Sequence, residues 1–164
     1  MQVPWRRVAS WHCNACGVCC RIYKPKLTAY EYLKLKNTGF VEEKAGKFYI
    51  RKINGQCPFQ RGNLCTLQHT MKPLSCRIFP FRVYTKGDDY ALFEFDGEEY
   101  YVYADTFCPN LKIKSDMKPA KRVYELVKEA VMIFTGRDNF RLLTAQLNPK
   151  TPVLQQPHHR LARA

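Results

Sequence analysis

The sequence lacks any apolar run that approaches the ~20 residues of a transmembrane helix, so we expect no membrane span. It has no apolar signal-peptide segment after Arg6 and Arg7, so we expect a cytoplasmic address. It also has no glycine-rich phosphate loop, because Gly39, Gly46 and Gly55 are isolated turn glycines. These absences argue against an integral membrane protein and against a phosphate-loop enzyme.

Cysteine is too sparse for a secreted disulfide scaffold. The chain has eight cysteines in 164 residues, below the ~8–10% typical of such scaffolds. A chain of this length can form a stable hydrophobic core without disulfide bonds. A disulfide knot is therefore the lesser alternative, although disulfides do persist in the cytosol of hyperthermophiles. In a reducing compartment, clustered cysteines bind metal more often than they pair.

Half of the cysteines lie in one short stretch, namely Cys13, Cys16, Cys19 and Cys20. The C-x2-C-x2-C spacing lets a tight loop aim three thiolates at one point, and Gly17 permits the positive φ that such a loop requires. Zinc sites use C-x2-C pairs, and bacterial-type iron–sulfur sites use the longer run. We expect adjacent cysteines to point in different directions, so Cys20 is predicted to serve a second centre or to be buried.

The other four cysteines are spread along the chain. A turn at residues 60–63 places Cys57 and Cys65 across a small hairpin-like knuckle, whereas Cys76 and Cys108 stand alone. Cys57 and Cys108 each precede a proline, as does the cysteine that completes the bacterial ferredoxin run. The predicted metal ligands are Cys13, Cys16, Cys19, Cys20, Cys57, Cys65, Cys76 and Cys108. Arg77, beside Cys76, is predicted either to donate to a thiolate or to be an ordinary surface arginine.

Local patterns predict several elements before residue 82. Thr28 and Glu31 form a capping box for a helix over about 29–37, with an apolar face of Tyr32, Leu35 and Ala29. Residues 40–53 are rich in β-formers and predict strands. Residues 66–73 predict at most one helical turn.

Two further predictions concern packing residues. Residues 1–12 are predicted to be irregular, with Trp5 and Trp11 as packing anchors, and Phe79 and Phe81 are assigned to the core.

The second half of the chain predicts a sheet followed by helices. Residues 82–105 predict three antiparallel strands, with Asp96 and Gly97 as a hairpin turn. Tyr100 and Val102 should face opposite to Tyr101. Apolar residues at helical spacing predict a helix over 119–135, and a second helix after Asp138 is predicted to carry Phe140, Leu143 and Leu147.

These elements predict an α+β fold, a small irregular cysteine-rich metal-centred domain with antiparallel strands and C-terminal helices. We expect one domain over 1–147, with a cysteine core at 11–110 and a helical scaffold at 116–147. Residues 148–164 are expected to be a basic disordered tail, in which His158 and His159 are a minor metal candidate.

The charge of the chain is strongly basic but uneven. The net charge is +13, residues 1–26 contain no acid, and residues 80–110 contain seven acids. The basic ends can attract nucleic acid, an anionic membrane surface or an acidic protein, or can simply aid solubility. Because the tyrosine-rich strands are acidic, nucleic acid is not favoured as the partner, and we expect a protein partner whose identity the sequence does not give.

The sequence shows no catalytic constellation of its own. His12 and His69 neighbour cysteines, but neither has an evident acid or nucleophile partner. His69 is expected to be exposed rather than a ligand. A thiol oxidoreductase built on Cys13 and Cys16 is the weakest hypothesis, because no thioredoxin-like βαβ pattern surrounds them.

A combination of cysteine segments carries a family resemblance. The segments are Cys13-x2-Cys16-Gly17-x-Cys19-Cys20-Arg21, Cys57-Pro58-Phe59, Cys65 and Pro73-x2-Cys76-Arg77-x-Phe79-Pro80-Phe81. Over about residues 11–110 this pattern resembles the YkgJ-like cysteine-cluster family, described as zinc- or iron-chelating and often labelled iron–sulfur cluster-containing and oxidoreductase-like. Lys72 departs from the arginine expected before Pro73. The resemblance implies metal or cluster binding and a cytoplasmic address.

A similar cysteine set occurs in flagellin lysine N-methylases. A methylase would need an S-adenosylmethionine site, which this chain does not show.

Two functions remain open. In the first, four thiolates hold an iron–sulfur cluster of the [4Fe–4S] type for electron transfer, or for assistance to a protein-modifying enzyme, and four serve a second centre or the structure. In the second, two zinc ions with four thiolates each make a structural interaction module without catalysis. The C-x2-C-x2-C run and the resemblance favour the iron–sulfur hypothesis.

Overall fold

The computed structural model describes residues 1–138, 143 and 144, and it confirms the α+β class. The strands are β1 (Gln2–Pro4), β2 (Val8–Ser10), β3 (Lys26–Leu27), β4 (Val41–Lys44), β5 (Lys47–Ile50), β6 (Gln60–Arg61), β7 (Leu64–Cys65), β8 (Phe81–Tyr84), β9 (Leu92–Phe95), β10 (Glu98–Asp105) and β11 (Lys112–Ile113). The helices are α1 (Val18–Ile22), α2 (Ala29–Leu35), α3 (Leu74–Arg77) and α4 (Lys121–Phe134), with 3-10 turns at Trp5–Arg7, Lys36–Thr38 and Asp89–Ala91. The predicted helix after Asp138 falls mostly outside the described residues, and the predicted tail falls entirely outside them.

Strand β10 is the centre of the main sheet. It pairs antiparallel with β8 along one edge, and along the other edge it pairs antiparallel first with β9 and then with β1. Tyr101 pairs with a residue of β8 and also with a residue of β9, so these two strands lie on opposite edges of β10. The predicted hairpin turn is confirmed, because Asp96 and Gly97 both have positive φ. Tyr100 and Val102 are buried while Tyr101 is partly exposed, so the predicted alternation is also confirmed.

The amino-terminal segment is more regular than predicted. Residues 1–12 contain β1, which pairs with the end of β10, and β2, which pairs with β11. The prediction of an irregular segment was wrong because these strands have three residues each and are stabilised by distant partners rather than by their own pattern. Trp5 and Trp11 are nevertheless buried as predicted, at 2% and 3% exposure.

Helix α4 covers the main sheet. Val123, Val127, Ala130 and Val131 are buried at helical spacing, as predicted, and the helix contacts β8 and β2. It begins two residues later than predicted, at Lys121, with Ala120 as its extended N-cap. None of the helices in residues 1–138 is long and apolar enough to cross a bilayer.

A second, smaller core lies under α2 and the β3–β5–β4 sheet. Its buried residues are Leu27, Leu35, Ile50, Cys57 and Phe59. The predicted capping box is confirmed, because the Thr28 hydroxyl accepts from the Glu31 amide and the Glu31 carboxylate accepts from the Thr28 amide. Ala29 is exposed, contrary to its predicted place on the apolar face, because as the first helical residue it lies at the solvent end of α2.

Glu31 also connects α2 to α3. Its Oε2 accepts from the Thr28 amide at 2.8 Å, and its Oε1 accepts from the Leu74 amide at 2.6 Å. Glu31 as a whole is 8% exposed, so its carboxylate accepts from two backbone donors in a buried setting. This double contact fixes the start of α3, the short helix that carries Cys76.

Candidate metal centre

All eight cysteines line one cavity. Its cysteine lining consists of Cys13, Cys16, Cys19, Cys20, Cys57, Cys65, Cys76 and Cys108. None of these eight described cysteines is paired in a disulfide, so the disulfide knot is not formed. Among the described residues no carboxylate or imidazole lines this cavity, and His12 and His69 are exposed outside it. The site is therefore a thiol site with an otherwise mostly apolar wall.

The sulfurs surround a volume rather than a single point. The cavity measures about 60 Å³, which is more than one water-sized group occupies. In the part of the chain that the structure describes, no three Cys, His, Asp or Glu side chains form a ready-made site for one ion. The arrangement consequently leaves room for more than one atom among the thiols.

The thiols divide into two neighbouring sets. The five-thiol set is Cys19, Cys20, Cys57, Cys65 and Cys76, and the three-thiol set is Cys13, Cys16 and Cys108. Burial raises the pKa of Cys76, and charge repulsion from Cys65, Cys57 and Cys19 adds to that shift. Burial likewise raises the pKa of Cys108, and repulsion from Cys16 and Cys13 adds to it.

Packing divides five of the eight cysteines in the same way. Cys13 and Cys108 contact the main core, whereas Cys20, Cys57 and Cys65 belong to the smaller core. The backbone amide of Cys57 also donates to the carbonyl of Cys20 at 3.2 Å, within the five-thiol set.

Gly17 is the point at which the cysteine run divides between these sets. It has φ +70° as predicted, and it immediately precedes α1. Ala15 also has positive φ, so the chain reverses sharply between Cys13 and the helix. Cys19 then lies on α1, whereas Cys13 and Cys16 precede Gly17, and the prediction that the run aims its three thiolates at one point stays a prediction.

Cys19 and Cys20 interact directly, against the expectation that adjacent cysteines diverge. The hydrogen bond from the Cys20 thiol to the Cys19 sulfur lowers the pKa of Cys19 to about 6, and Lys72 lowers it further against the opposing effect of burial. The same hydrogen bond raises the pKa of Cys20 far above its usual value. Cys20 thus acts as a donor to its neighbour.

Three further thiols of the site, Cys57, Cys76 and Cys108, are desolvated by burial. Burial raises the pKa of Cys76 and of Cys57. Burial also raises the pKa of Cys108, although the Trp11 indole opposes that shift by donating from Nε1 to Cys108 Sγ at 3.2 Å. A metal is therefore what would make these thiols favourable as thiolates in this setting.

The cation that lines the cysteine cavity is Lys72 rather than Arg77. Arg77 donates from Nη2 to the carbonyl of Asp138 at 3.0 Å, and it does not line the cysteine cavity. Lys72 lines the cavity instead and acts electrostatically on both Cys19 and Cys76. Sequence reasoning considered only the residue directly beside Cys76 and therefore missed Lys72, which lies four residues earlier. It missed the Trp11 donor because Trp11 and Cys108 are 97 positions apart in the chain.

Gly17→Ala is expected to destabilise the protein and to weaken metal retention. A Cβ at Gly17 would lie 2.7 Å from Gln60 Nε2 and 3.2 Å from the Asn63 backbone. It would also require a left-handed backbone, which costs roughly 1–2 kcal/mol for a residue with a Cβ. Thermal unfolding and metal content per chain measure the two effects.

Gly62→Ala is the matched control for this substitution. Gly62 has φ +58°, but a Cβ added there would meet no described atom within 4 Å. It therefore carries the same backbone strain without the close approach between the cysteine loop and the β6–β7 hairpin. Equal losses of thermal stability and of metal content in the two variants would show that the close approach of the loop and the hairpin does not contribute to either.

Comparison with known proteins agrees with the thiol cavity. The profile of the CxxCxxCC family, described as "Putative zinc- or iron-chelating domain", matches residues 12–109. An uncharacterized protein of Methanocaldococcus jannaschii is 31% identical over 145 residues, which cover 79% of this chain and 48% of that protein. The chain thus spans about half the length of this curated relative. No solved structure matches the chain significantly. With most of its length matched, and with every cysteine of the pattern on one cavity, the chain belongs to the CxxCxxCC family of zinc- or iron-chelating domains.

Proposed function

We propose that the protein carries an iron–sulfur cluster, of the [4Fe–4S] type, held by thiolates of the cysteine cavity. The observation that carries this proposal is the eight-thiol lining, without any described carboxylate or imidazole. Thiolates are the ligands that iron–sulfur clusters use, and a [4Fe–4S] cluster takes four of them. The cavity volume and its apolar wall suit a multi-atom group better than a single ion.

The surrounding residues support a redox role. Such a cluster, when bound, supplies one-electron transfer, with a potential set by hydrogen bonds to sulfur, charge and solvent exposure. Trp11 donates to Cys108 Sγ, and the Lys72 ammonium offsets negative charge near Cys19 and Cys76. We therefore propose electron transfer, or assistance to a protein-modifying enzyme, in a reducing cytoplasmic setting with a protein partner.

Structural zinc is the second candidate. The family description names zinc beside iron, and the spacing of Cys13 and Cys16 is that of a zinc-binding pair. In this alternative the protein is an interaction module whose metal stabilises the fold without catalysis. The division into five and three thiols fits two four-thiolate zinc sites less well.

Anaerobic purification tests the proposal. We expect a brown protein with visible charge-transfer absorbance, iron and acid-labile sulfide, and we expect Cys76→Ser to lose metal. A colourless protein with stoichiometric zinc would favour the second candidate. A folded protein with neither metal would refute both, and unchanged metal in Cys76→Ser would make Cys76 a packing residue.

A further inference from the structure

We propose that a basic patch beside the cysteine cavity is the docking surface for an acidic protein partner. The basic patch consists of the cations Arg21, Lys24 and Lys52 and the exposed apolar side chains of Ile22 and Ile53. This inference rests on the proposed function for the existence of a protein partner, and it deepens that function by assigning the surface used and the charge of the partner. It does not depend on which metal the protein binds.

The two chain segments that carry the basic patch lie side by side. At one end β3 pairs antiparallel with β5, and at the other end the amide of Cys57 donates to the carbonyl of Cys20 at 3.2 Å. Between these two points the Lys52 ammonium donates to the carbonyl of Arg21. Arg21 and Lys52, which are 31 positions apart in the chain, are therefore neighbours on one surface.

These two segments have a large excess of positive charge. Residues 20–26 and 49–57 together contain five basic residues and no acid. The Lys24 ammonium pairs with the carboxylate of Glu42 and also lies 5.2 Å from the ring centre of Tyr49. This one ion pair does not balance five cations, so the surface attracts negative charge over a Debye length of ~10 Å.

Two exposed isoleucines distinguish the basic patch from an ordinary solvated face. Ile22 is 50% exposed and Ile53 is 42% exposed, and each directly follows a cation of the patch in the sequence. Protein interfaces combine apolar contacts with a polar, solvent-accessible rim. An acidic partner with some apolar side chains satisfies both parts, because its carboxylates pair with the cations while its apolar side chains cover the isoleucines.

The basic patch is also next to the thiols. Cys20, which directly precedes Arg21, lines the cysteine cavity. Burial lowers the pKa of Lys52, and the charges of Cys57 and Cys20 oppose that shift, so the Lys52 ammonium is close to the five-thiol set. A protein docked on the patch therefore stands at the wall of the cavity, which is the position that a redox partner requires.

The structure of the basic patch favours a protein over a nucleic acid or a membrane. Single-stranded nucleic acid binds where aromatic rings can stack on its bases, but Tyr49 is half-buried and the Lys24 ammonium lies over its ring. A membrane surface is bound by an amphipathic helix with a broad apolar face, whereas α1 has only five residues. We therefore assign the patch to an acidic protein.

The test measures how a fluorescein-labelled polyglutamate peptide binds to the full chain, by fluorescence anisotropy at low salt. We expect Arg21→Glu with Lys24→Glu to weaken binding by about tenfold, because attractive contacts become repulsive. Lys121→Glu with Lys128→Glu is the matched control with little expected effect, since these exposed residues of α4 give the same change in net charge. Equal weakening in both double variants would overturn the proposal. If the first double variant fails to fold, Arg21→Glu and Lys121→Glu alone make the same comparison.

A second comparison tests the isoleucines and the class of partner. An acidic peptide with leucines among its glutamates should bind more tightly than polyglutamate, and Ile22→Ser with Ile53→Ser should remove that preference. No preference in the wild-type protein would contradict the assignment of the isoleucines to the surface. Tighter binding of single-stranded DNA or of phosphatidylserine vesicles, lost in Arg21→Glu, would overturn the assignment of a protein partner.

Metal content measured on the same samples separates this inference from the proposed function. A wild-type protein without iron or zinc would refute the proposed function. Equal peptide binding by the patch variant and the control variant, with metal retained in both, would refute only the docking surface.

Discussion

Removal of the metal is expected to unfold the smaller core while leaving the main sheet folded. The smaller core has only five buried residues, and one of them, Cys57, belongs to the five-thiol set. The main core has a four-stranded sheet covered by α4, with Trp5, Phe81 and Val102 nearly fully buried. Structural metal binding contributes about 10–16 kcal/mol of apparent free energy in zinc-finger peptides. Loss of a contribution of this size is expected to exceed the folding free energy that the buried residues of the smaller core provide.

Hydrogen exchange measures this partial unfolding. After chelation of zinc, or oxidative removal of a cluster, the amides of Cys57 and Ile50 should lose protection. Both amides now donate to backbone carbonyls, of Cys20 and Pro25 respectively. The amide of Asp105, bonded to the carbonyl of Pro80, is the internal control and should stay protected. Equal protection at all three sites without metal would contradict the prediction, and restored protection on metal addition would support it.

Arg82→Met is expected to cost about 3–5 kcal/mol of stability, because it leaves a buried carboxylate without its cation. Arg82 Nη2 lies 2.9 Å from Asp105 Oδ2, and the Asp105 side chain is 3% exposed. The guanidinium also lies 4.8 Å from the ring centre of Tyr23, which lines the cysteine cavity. Asp105 Oδ1 in turn accepts from the amide of Phe107, directly before Cys108. Denaturant unfolding of the metal-loaded protein measures the loss.

Arg137→Met provides the matched control. Its partner carboxylate on Asp96 is 62% exposed, so the exposed pair should contribute no more than about 1 kcal/mol. The double variant Arg82→Met with Asp105→Asn should recover part of the loss, because the buried negative charge is then absent. If Arg82→Met costs no more than Arg137→Met, the buried pair is not what stabilises the end of β10.

Much of the fold follows from patterns that act over a few residues. The Thr28–Glu31 capping box, the Asp96–Gly97 turn and the apolar spacing of α4 all predicted elements that the structure contains. Each works because its partners are within about four residues, where the backbone geometry already fixes the distance. The short strands β1 and β2 were missed because they are specified by partners about a hundred positions away.

For the site, the sequence by itself determined the family and which side chains are candidate ligands, because clustered cysteines and the spacing around Gly17 are local properties. Only the tertiary structure decided which thiols are neighbours. The pairing of β2 with β11 brings Cys108 to Cys13, and the smaller core brings Cys57 to Cys20. The physical reason is that contacts between distant segments depend on strand register and on how two cores pack against each other, and neither is encoded in the spacing of the cysteines themselves.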